Sequence, residues 1–168
     1  MSQVLLLGIS HKTAPVAVRE RVALLDGQLP QFLGDLVASP SINEAVVIST
    51  CNRTEVYLVV ADPVDAETAA LGALSSRAGI RPTELAEIVY APRNCDAARQ
   101  LYRVTSGLES MIVGEAEVQG QVRRAYDAAV SAGSSGPLTN RLFNSALRAG
   151  GRVRSETTIG AGGASVAG

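Results

Sequence analysis

The sequence contains no tryptophan, a single histidine and only two cysteines, and aromatic residues make up just 4% of its 168 positions. The core must therefore be built from Leu, Val, Ile and Ala. Cys51 and Cys95 lie far apart, without a Cys-x-x-Cys spacing or a set of flanking ligands. We expect reduced thiols rather than a disulfide framework or a metal site.

The chain also lacks an excess of charge of either sign. Its formal net charge is −1, whereas a general nucleic-acid binder is usually strongly basic, so any RNA contact is expected from a local patch. Hydrophobic residues make up 46% and charged residues 18%, which excludes a disordered tail. The opening apolar run, Val4–Ile9, is too short for a membrane span and follows no basic segment, so we expect a cytoplasmic protein without membrane contact.

The first half of the chain alternates short apolar runs with helical patterns. The predicted strands are Val4–Ile9, Ala45–Ile48, Val56–Val60 and Ile88–Tyr90, and the predicted helices are Val16–Ala38 and Glu67–Ala78. The order β-α-β-β-α-β is that of the ferredoxin-like sandwich. In that topology the first two strands run parallel with the third between them. The loop at His11 and Lys12 should then share one end of the sheet with Thr50–Arg53.

The second half reads as helical. Apolar residues recur at helical spacing in three sets: Leu101, Val104, Leu108 and Met111; Val118, Val122, Ala125 and Ala129; Leu138, Leu142, Ala149 and Val153. We therefore predict an α+β fold, a ferredoxin-like βαββαβ sandwich followed by a C-terminal group of helices. A helix that begins near Asn94 should return to the Cys51 end of the sheet by about Ser110.

Cys51 is the residue most suggestive of chemistry. It lies in a tight polar loop between two predicted strands, two residues from Arg53, and a nearby cation favours the nucleophilic thiolate. The alternative is a small loop residue that happens to be cysteine, and the local pattern alone does not decide between the two. Cys95, at a predicted helix start, is interpreted as structural.

Four successive segments resemble the signature segments of the glutamyl-tRNA reductase family: GISHKTAPVAVRE, VISTCNRTEVYL, SGLESMIVGEAEVQGQV and LFNSALRAGGRVRSET. The resemblance runs from about Leu5 to Thr158. It implies an enzyme that reduces the glutamyl group of glutamyl-tRNA(Glu) to glutamate-1-semialdehyde, the first committed step toward 5-aminolevulinate and tetrapyrroles. It also implies that residues 1–155 form an N-terminal catalytic domain and that residues 156–168 link it to an NADPH-binding domain absent from this chain.

By that resemblance Cys51 is the nucleophile, and it forms a thioester that NADPH reduces in the complete enzyme. The resemblance places the substrate-binding positions at Thr50, Asn52, Arg53, Ser110, Glu115, Ala116, Glu117 and Gln121. Arg53 offers a rigid fork suited to the substrate carboxylate, and Glu115 suits the ammonium group. From the residues alone, Glu115 near a helix start and Gln121 would both be read as surface residues.

The sequence departs from the family pattern at Gln100, where the family usually has an assisting histidine. A neutral amide cannot exchange a proton at pH 7, so Gln100 can only position a group by hydrogen bonding. A lone histidine such as His11 is more often structural, yet its predicted place near Cys51 keeps it as a substitute base. The departure leaves open an alternative, a non-catalytic paralogue or regulatory fragment that binds tRNA or a protein partner. The catalytic interpretation is preferred, because the Thr-Cys-Asn-Arg loop, Ser110, Glu115 and Gln121 are all present. An unrelated cysteine hydrolase is disfavoured, because the sequence supplies no Cys-His-Asn set.

The glycine-rich run at 160–165 approaches GxGxxG, but it has Ser165 at the last position and no apolar strand before it. We therefore expect the fragment to bind neither NADPH nor metal. The resemblance places dimerisation in later helices, so a monomer is expected, and it implies glutamate-1-semialdehyde aminotransferase as a partner. A set of arginines either contacts tRNA phosphates or forms a solvated basic face: Arg123, Arg124, Arg141, Arg148 and Arg152.

Overall fold

The computed structural model describes residues 1–111 and 117–156, the side chains of 154–156 excepted. Its strands are β1 (Gln3–Ser10), β2 (Ile42–Ser49) and β3 (Arg53–Val60). Its helices are α1 (Val16–Val22), α2 (Leu29–Val37), α3 (Pro63–Ala78), α4 (Pro82–Ala86), α5 (Cys95–Thr105), α6 (Glu117–Ala132) and α7 (Pro137–Glu156). None of the described helices has both the length and the apolar character needed to cross a membrane.

The strands form one antiparallel sheet in the order β1-β3-β2. β3 pairs antiparallel with both neighbours, and Val56 faces Leu7 on one side and Val47 on the other. β1 and β2 therefore run parallel to each other, as predicted. The loops that follow them share one end of the sheet, because the backbone N–H of His11 donates to the carbonyl of Asn52 at 2.9 Å.

The prediction of a fourth strand at Ile88–Tyr90 is wrong, because the described residues form a sheet of three strands. The chain from Tyr90 to Arg93 runs beside β1, but it makes only isolated antiparallel bridges, one of them between Gly8 and Tyr90. Pro92 explains the interruption, because it accepts from Leu6 through its carbonyl but has no N–H to donate. The fold is a mixed α/β arrangement with a three-stranded sheet, and the four-stranded ferredoxin-like pattern is not established.

The single helix predicted over Val16–Ala38 is also wrong, because α1 ends at Val22 and α2 begins only at Leu29 after a 3₁₀ turn. Pro30 accounts for the break. It lies in the first turn of α2, where a missing N–H costs nothing, whereas a continuous helix would place it in the interior. The intervening chain is attached to the sheet where the backbone N–H of Leu24 donates to Ser49 Oγ at 2.9 Å.

Helices cover both faces of the sheet, since every residue of β3 is buried. The first three helices lie on one face and α5 and α7 on the other, where the Tyr57 ring meets the Phe143 ring edge-on at 5.4 Å. The predicted stripe on α6 is buried as expected. α5 ends at Thr105, so Leu108 and Met111 lie beyond the helix on which the periodicity placed them.

The prediction of the buried face of α7 is wrong, because the helix is rotated about its axis relative to the predicted stripe. The four residues of the predicted stripe are only half-buried, and the buried ones are Thr139, Phe143, Ala146, Leu147 and Gly150. Phe143 fixes this orientation, because its ring also stacks on Tyr126 at 5.8 Å. Burial of an aromatic ring between two others outweighs the smaller gain from aligning leucines.

Candidate active site

Cys51 lies at the tip of the hairpin between β2 and β3. The hairpin is closed by the Thr50 N–H donating to the Arg53 carbonyl at 2.8 Å, and Thr50 Oγ1 accepts from the Asn52 N–H at 3.2 Å. These contacts leave Cys51 in the turn, where its free thiol is exposed. The loop is therefore held in place by Thr50 while the Cys51 thiol remains accessible.

The thiol residue borders a cavity of about 280 Å³ between the hairpin tip and α1. Arg19 of α1 also lines it and donates from Nη1 to the Cys51 carbonyl at 3.0 Å. Met111, 62% exposed, reaches the same cavity from the chain that follows α5. Three segments distant in sequence thus meet at Cys51; the predicted topology anticipated the chain near Ser110 but not α1.

A second cavity, of about 490 Å³, lies on the other side of Thr50. It is lined by the N-terminal part of α2, by β2 and by one face of α6, and it contains Gln121 together with Arg124 and Asp127. Since Thr50 borders both cavities, the cavity that contains the predicted binding residue Gln121 adjoins the one that contains the predicted nucleophile Cys51.

Arg53 is directed inward rather than toward the thiol cavity. Its side chain is 5% exposed, and its guanidinium donates from Nη1 to Glu55 Oε2 at 3.3 Å and from Nη2 to the Glu109 carbonyl. Binding of a substrate carboxylate by Arg53 stays a prediction, and such a carboxylate would have to share the guanidinium with Glu55.

Glu55 is the centre of a buried polar cluster. Its carboxylate has no exposed surface and accepts hydrogen bonds from Tyr57 Oη at 2.7 Å, Tyr90 Oη at 2.6 Å and Gln100 Nε2 at 2.9 Å. Burial and the charge of Glu55 raise the pKa of both phenols well above the usual value, so both hydroxyls keep their protons and remain donors. Gln100 therefore fixes α5 to the sheet.

The Tyr90 hydroxyl reaches Glu55 only because residue 8 is glycine. A Cβ at Gly8 would lie 2.2 Å from Cε2 of the Tyr90 ring and 2.8 Å from its hydroxyl oxygen. The ring lies directly over the strand, and the neighbouring position across the sheet is Glu55 itself. Packing of the Tyr90 ring against β1 thus explains the glycine of the Gly-Ile-Ser-His segment.

Glu109 joins three elements at the edge of the site. Its carboxylate is 2.6 Å from Lys12 Nζ and also accepts from Arg103 Nε, while its backbone carbonyl accepts from Arg53. Burial alone would raise the pKa of Glu109, but the hydrogen bonds and charges of Lys12 and Arg103 outweigh it, and the pKa is lowered. The chain that carries Ser110 and Met111 is thereby attached to the sheet.

Comparison with known proteins gives the same assignment as the signature segments. Residues 7–157 match the family model described as glutamyl-tRNAGlu reductase, N-terminal domain. The chain belongs to the glutamyl-tRNA reductase family. A glutamyl-tRNA reductase from Rubrobacter xylanophilus is 48% identical over 153 residues, which make up 91% of this chain and 35% of that protein. One from Salinispora arenicola is 42% identical over 164 residues, or 98% of this chain and 36% of that protein.

A solved structure of a relative shows the same fold. The glutamyl-tRNA reductase from Methanopyrus kandleri has a TM-score of 0.75 and 33% sequence identity, covering 92% of this chain and 35% of that one. The chain therefore spans little more than a third of the length of the relatives it matches.

His11, the lone histidine, lies beside the Cys51 hairpin among cations. Burial, followed by the charges of Arg53, Lys12 and Arg19, lowers its pKa below the usual value, so the imidazole is neutral at pH 7. Its Nδ1 is buried and has no hydrogen-bond partner. The side chain is not among the residues lining the thiol cavity, so a role as substitute base stays a prediction.

The other predicted residues of this reductase-family domain are dispersed. Ser110 is half-buried, Glu117 is exposed as the first residue of α6, and Glu115 and Ala116 fall outside the described residues, as does the glycine-rich run at 160–165. Cys95 is an exposed free thiol at the first position of α5. All five arginines of the predicted basic set are exposed. Within the described ranges no cluster of His, Cys, Asp or Glu is arranged to hold a metal ion.

Sequence reasoning missed the residues that organise the site around the thiol: Arg19, Glu55, Tyr90 and Glu109. Glu55 carried a usable signal, because a charged residue inside the apolar strand TEVYLVV is costly unless it is paired. Arg19 and Glu109 carried none, since a charge on a short helix or in a loop is ordinarily solvated.

Proposed function

We propose that this chain is the glutamyl-accepting domain of a glutamyl-tRNA reductase and that Cys51 is its nucleophile. The observation that carries the proposal is the exposed Cys51 thiol at the hairpin tip, bordering a cavity that Arg19, Asn52 and Met111 also line. The substrate proposed is glutamyl-tRNA(Glu), and the pathway is tetrapyrrole biosynthesis through 5-aminolevulinate, in the cytoplasm.

In the proposed step the Cys51 thiolate attacks the ester carbonyl that joins glutamate to the tRNA. A C–S bond forms, the C–O bond to the 3′-terminal ribose breaks, and the departing ribose oxygen takes up a proton. The product is a thioester, which accepts a hydride more readily than an ester does, so one difficult reduction is divided into two easier steps. Arg19 holds the carbonyl of Cys51 and so fixes the hairpin during the attack.

Reduction of that thioester to glutamate-1-semialdehyde by NADPH is proposed for the longer enzyme. Among residues 1–111 and 117–156, no glycine-rich turn joins a strand to a helix, and the described residues therefore do not fit a dinucleotide. The steps assigned to this chain end at the thioester. Dimerisation and association with glutamate-1-semialdehyde aminotransferase are likewise proposed for the longer enzyme.

Intact-mass spectrometry after brief incubation with glutamyl-tRNA tests the proposal. We expect a glutamyl adduct on the parent chain, lost in Cys51→Ser and released by hydroxylamine, which cleaves thioesters. Cys95→Ser is the matched control, because Cys95 is also an exposed free thiol and should not be needed. An adduct that survives Cys51→Ser would refute the assignment.

The alternative function is a non-catalytic relative that binds tRNA or a protein. Gln100 is the observation that favours it, because the amide donates to Glu55 and cannot exchange protons as a histidine would. The same experiment separates the two functions. Undiminished tRNA binding without any adduct on Cys51 would establish the non-catalytic one.

A further inference from the structure

Glu109 is the point at which three elements converge beside the thiol loop, two of them on its carboxylate and one on its backbone carbonyl. Lys12 comes from the loop after β1, Arg103 from α5, and Arg53 from the first position of β3. Glu109 itself is only 9% exposed, although it lies outside regular secondary structure. A buried carboxylate in a loop is costly unless cations compensate it, and here two of them do.

Glu109 holds its own chain segment through both its side chain and its backbone. The side chain is held by Lys12 and Arg103, and the backbone carbonyl is held by the nearly buried guanidinium of Arg53. The next residue is Ser110, and the one after it, Met111, borders the Cys51 cavity. Displacing Glu109 would therefore shift the cavity wall that faces the nucleophile.

The exposure of the partners separates this arrangement from an ordinary core contact. The side chains of Lys12 and Arg103 are 58% and 47% exposed, so neither contributes a large buried surface to folding. Exposed ion pairs stabilise folds little. What the pair of cations does fix is the direction of one carboxylate, and with it the path of the chain at the site.

We propose that Glu109 is a positioning residue for glutamyl recognition: held by Lys12 and Arg103, it sets Ser110 and Met111 against the Cys51 loop. This inference rests on the proposed function, since it assumes that the cavity receives the glutamyl group. Two signature segments would then act together in positioning, because Lys12 belongs to Gly-Ile-Ser-His-Lys and Glu109 belongs to Ser-Gly-Leu-Glu-Ser.

The test compares the affinity of the protein for glutamyl-tRNA with its affinity for the same tRNA uncharged. Cys51→Ser serves as the parent so that no transfer occurs, and the ratio of the two dissociation constants is the readout. A merely structural role would change both affinities together and leave the ratio as it was. Loss of positioning would lower only the affinity for glutamyl-tRNA and leave the affinity for uncharged tRNA as it was.

Glu109→Gln keeps the size of the side chain and the backbone contact with Arg53 but removes the charge. We expect the preference for glutamyl-tRNA to fall about tenfold, the value of one hydrogen bond to a charged group. Binding of uncharged tRNA should stay equal or become tighter, because Lys12 and Arg103 are released toward phosphates. The matched control is Glu84→Gln, which removes a carboxylate paired with Arg81 at the same 2.6 Å distance.

Two substitutions of Lys12 provide the second line of evidence, because its exposed side chain can change without loss of the fold. Lys12→Met should lower the preference, and Lys12→Arg, which keeps the cation, should retain it. A preference unchanged in both Glu109→Gln and Lys12→Met would overturn the inference and leave the proposed function standing. No preference in the Cys51→Ser parent would refute the proposed function, and the inference with it.

Discussion

Substituting Gly8 by alanine perturbs the buried cluster at a single, well-defined point. The new Cβ would lie 2.2 Å from Tyr90 Cε2 and 2.5 Å from Cζ, distances that no real contact shows. Neither backbone segment can move freely, because Gly8 and Tyr90 exchange backbone hydrogen bonds of 2.9 Å in both directions. The ring itself must therefore retreat by at least about 1 Å to reach ordinary van der Waals separation.

The expected cost follows from what the ring holds. Its hydroxyl donates to the fully buried Glu55 at 2.6 Å, and a displacement of that size breaks the contact. Losing a hydrogen bond to a charged group costs about 1.5–3 kcal/mol, against a gain of roughly 0.5–1 kcal/mol from replacing glycine inside a strand. We expect Gly8→Ala to lower the free energy of unfolding by about 0.5–2.5 kcal/mol.

Urea unfolding followed by circular dichroism measures this loss as a lower midpoint at constant slope. Gly34→Ala is the matched control, since nothing lies within 4 Å of its Cβ position in α2, and it should stabilise by roughly 0.5–1 kcal/mol. In a Tyr90→Ala background the clash has no partner, so Gly8→Ala should become neutral or stabilising. An equal destabilisation in both backgrounds would show that contact with the Tyr90 ring is not the cause.

Three further outcomes follow from the same structure. Because His11 has a lowered pKa, the stability it contributes is fully present above its ordinary value of 6.5 and is lost as the pH falls through the lowered pKa of the folded state; the midpoint of the imidazole signal in an NMR titration should lie below pH 6.5. Glu109 also has a lowered pKa, so its contribution is complete above the ordinary value of 4.5 and decreases below it, and Glu109→Gln should flatten that part of the stability curve measured by urea unfolding. Phe143→Ala removes a fully buried ring between Tyr57 and Tyr126 and should cost about 3–5 kcal/mol, and an unfolding midpoint close to that of the parent would contradict this packing.

The strands were predictable because their signal is local. The apolar run Val4–Ile9 lies within β1, and the order of three strands with two loops at one end follows from chain connectivity. The break between α1 and α2 was predictable as well, since Pro30 stands inside the segment read as one helix. The buried face of α7 was not predictable from periodicity, because it includes Thr139 and Gly150 and is set by rings from other elements.

The location of the site could be predicted, but the partners of its charged residues could not. Cys51 and its loop lie where the topology placed them, next to His11 and within reach of the chain at Met111. The family resemblance placed Arg53 among the substrate-binding positions, where its guanidinium would face the carboxylate of a ligand. The structure shows that Glu55 and the Glu109 carbonyl hold it inside. Side chains at i and i+2 of a strand point to the same face, so Arg53 and Glu55 lie on one face of β3. The carboxylate of Glu55 was therefore the local clue that Arg53 points inward.

The residue at position 100 connects these observations with the chemistry. Its observed contact is a hydrogen bond from Nε2 to Glu55, a carboxylate that also receives two phenolic hydroxyls and faces Arg53. A donor is what Glu55 requires there, and an imidazole N–H and an amide N–H meet that requirement equally. Gln100 therefore meets the hydrogen-bonding requirement of Glu55 but offers no proton exchange. The buried cluster is complete with an amide at position 100, and the proposed transfer to Cys51 would proceed without a proton carried by this residue.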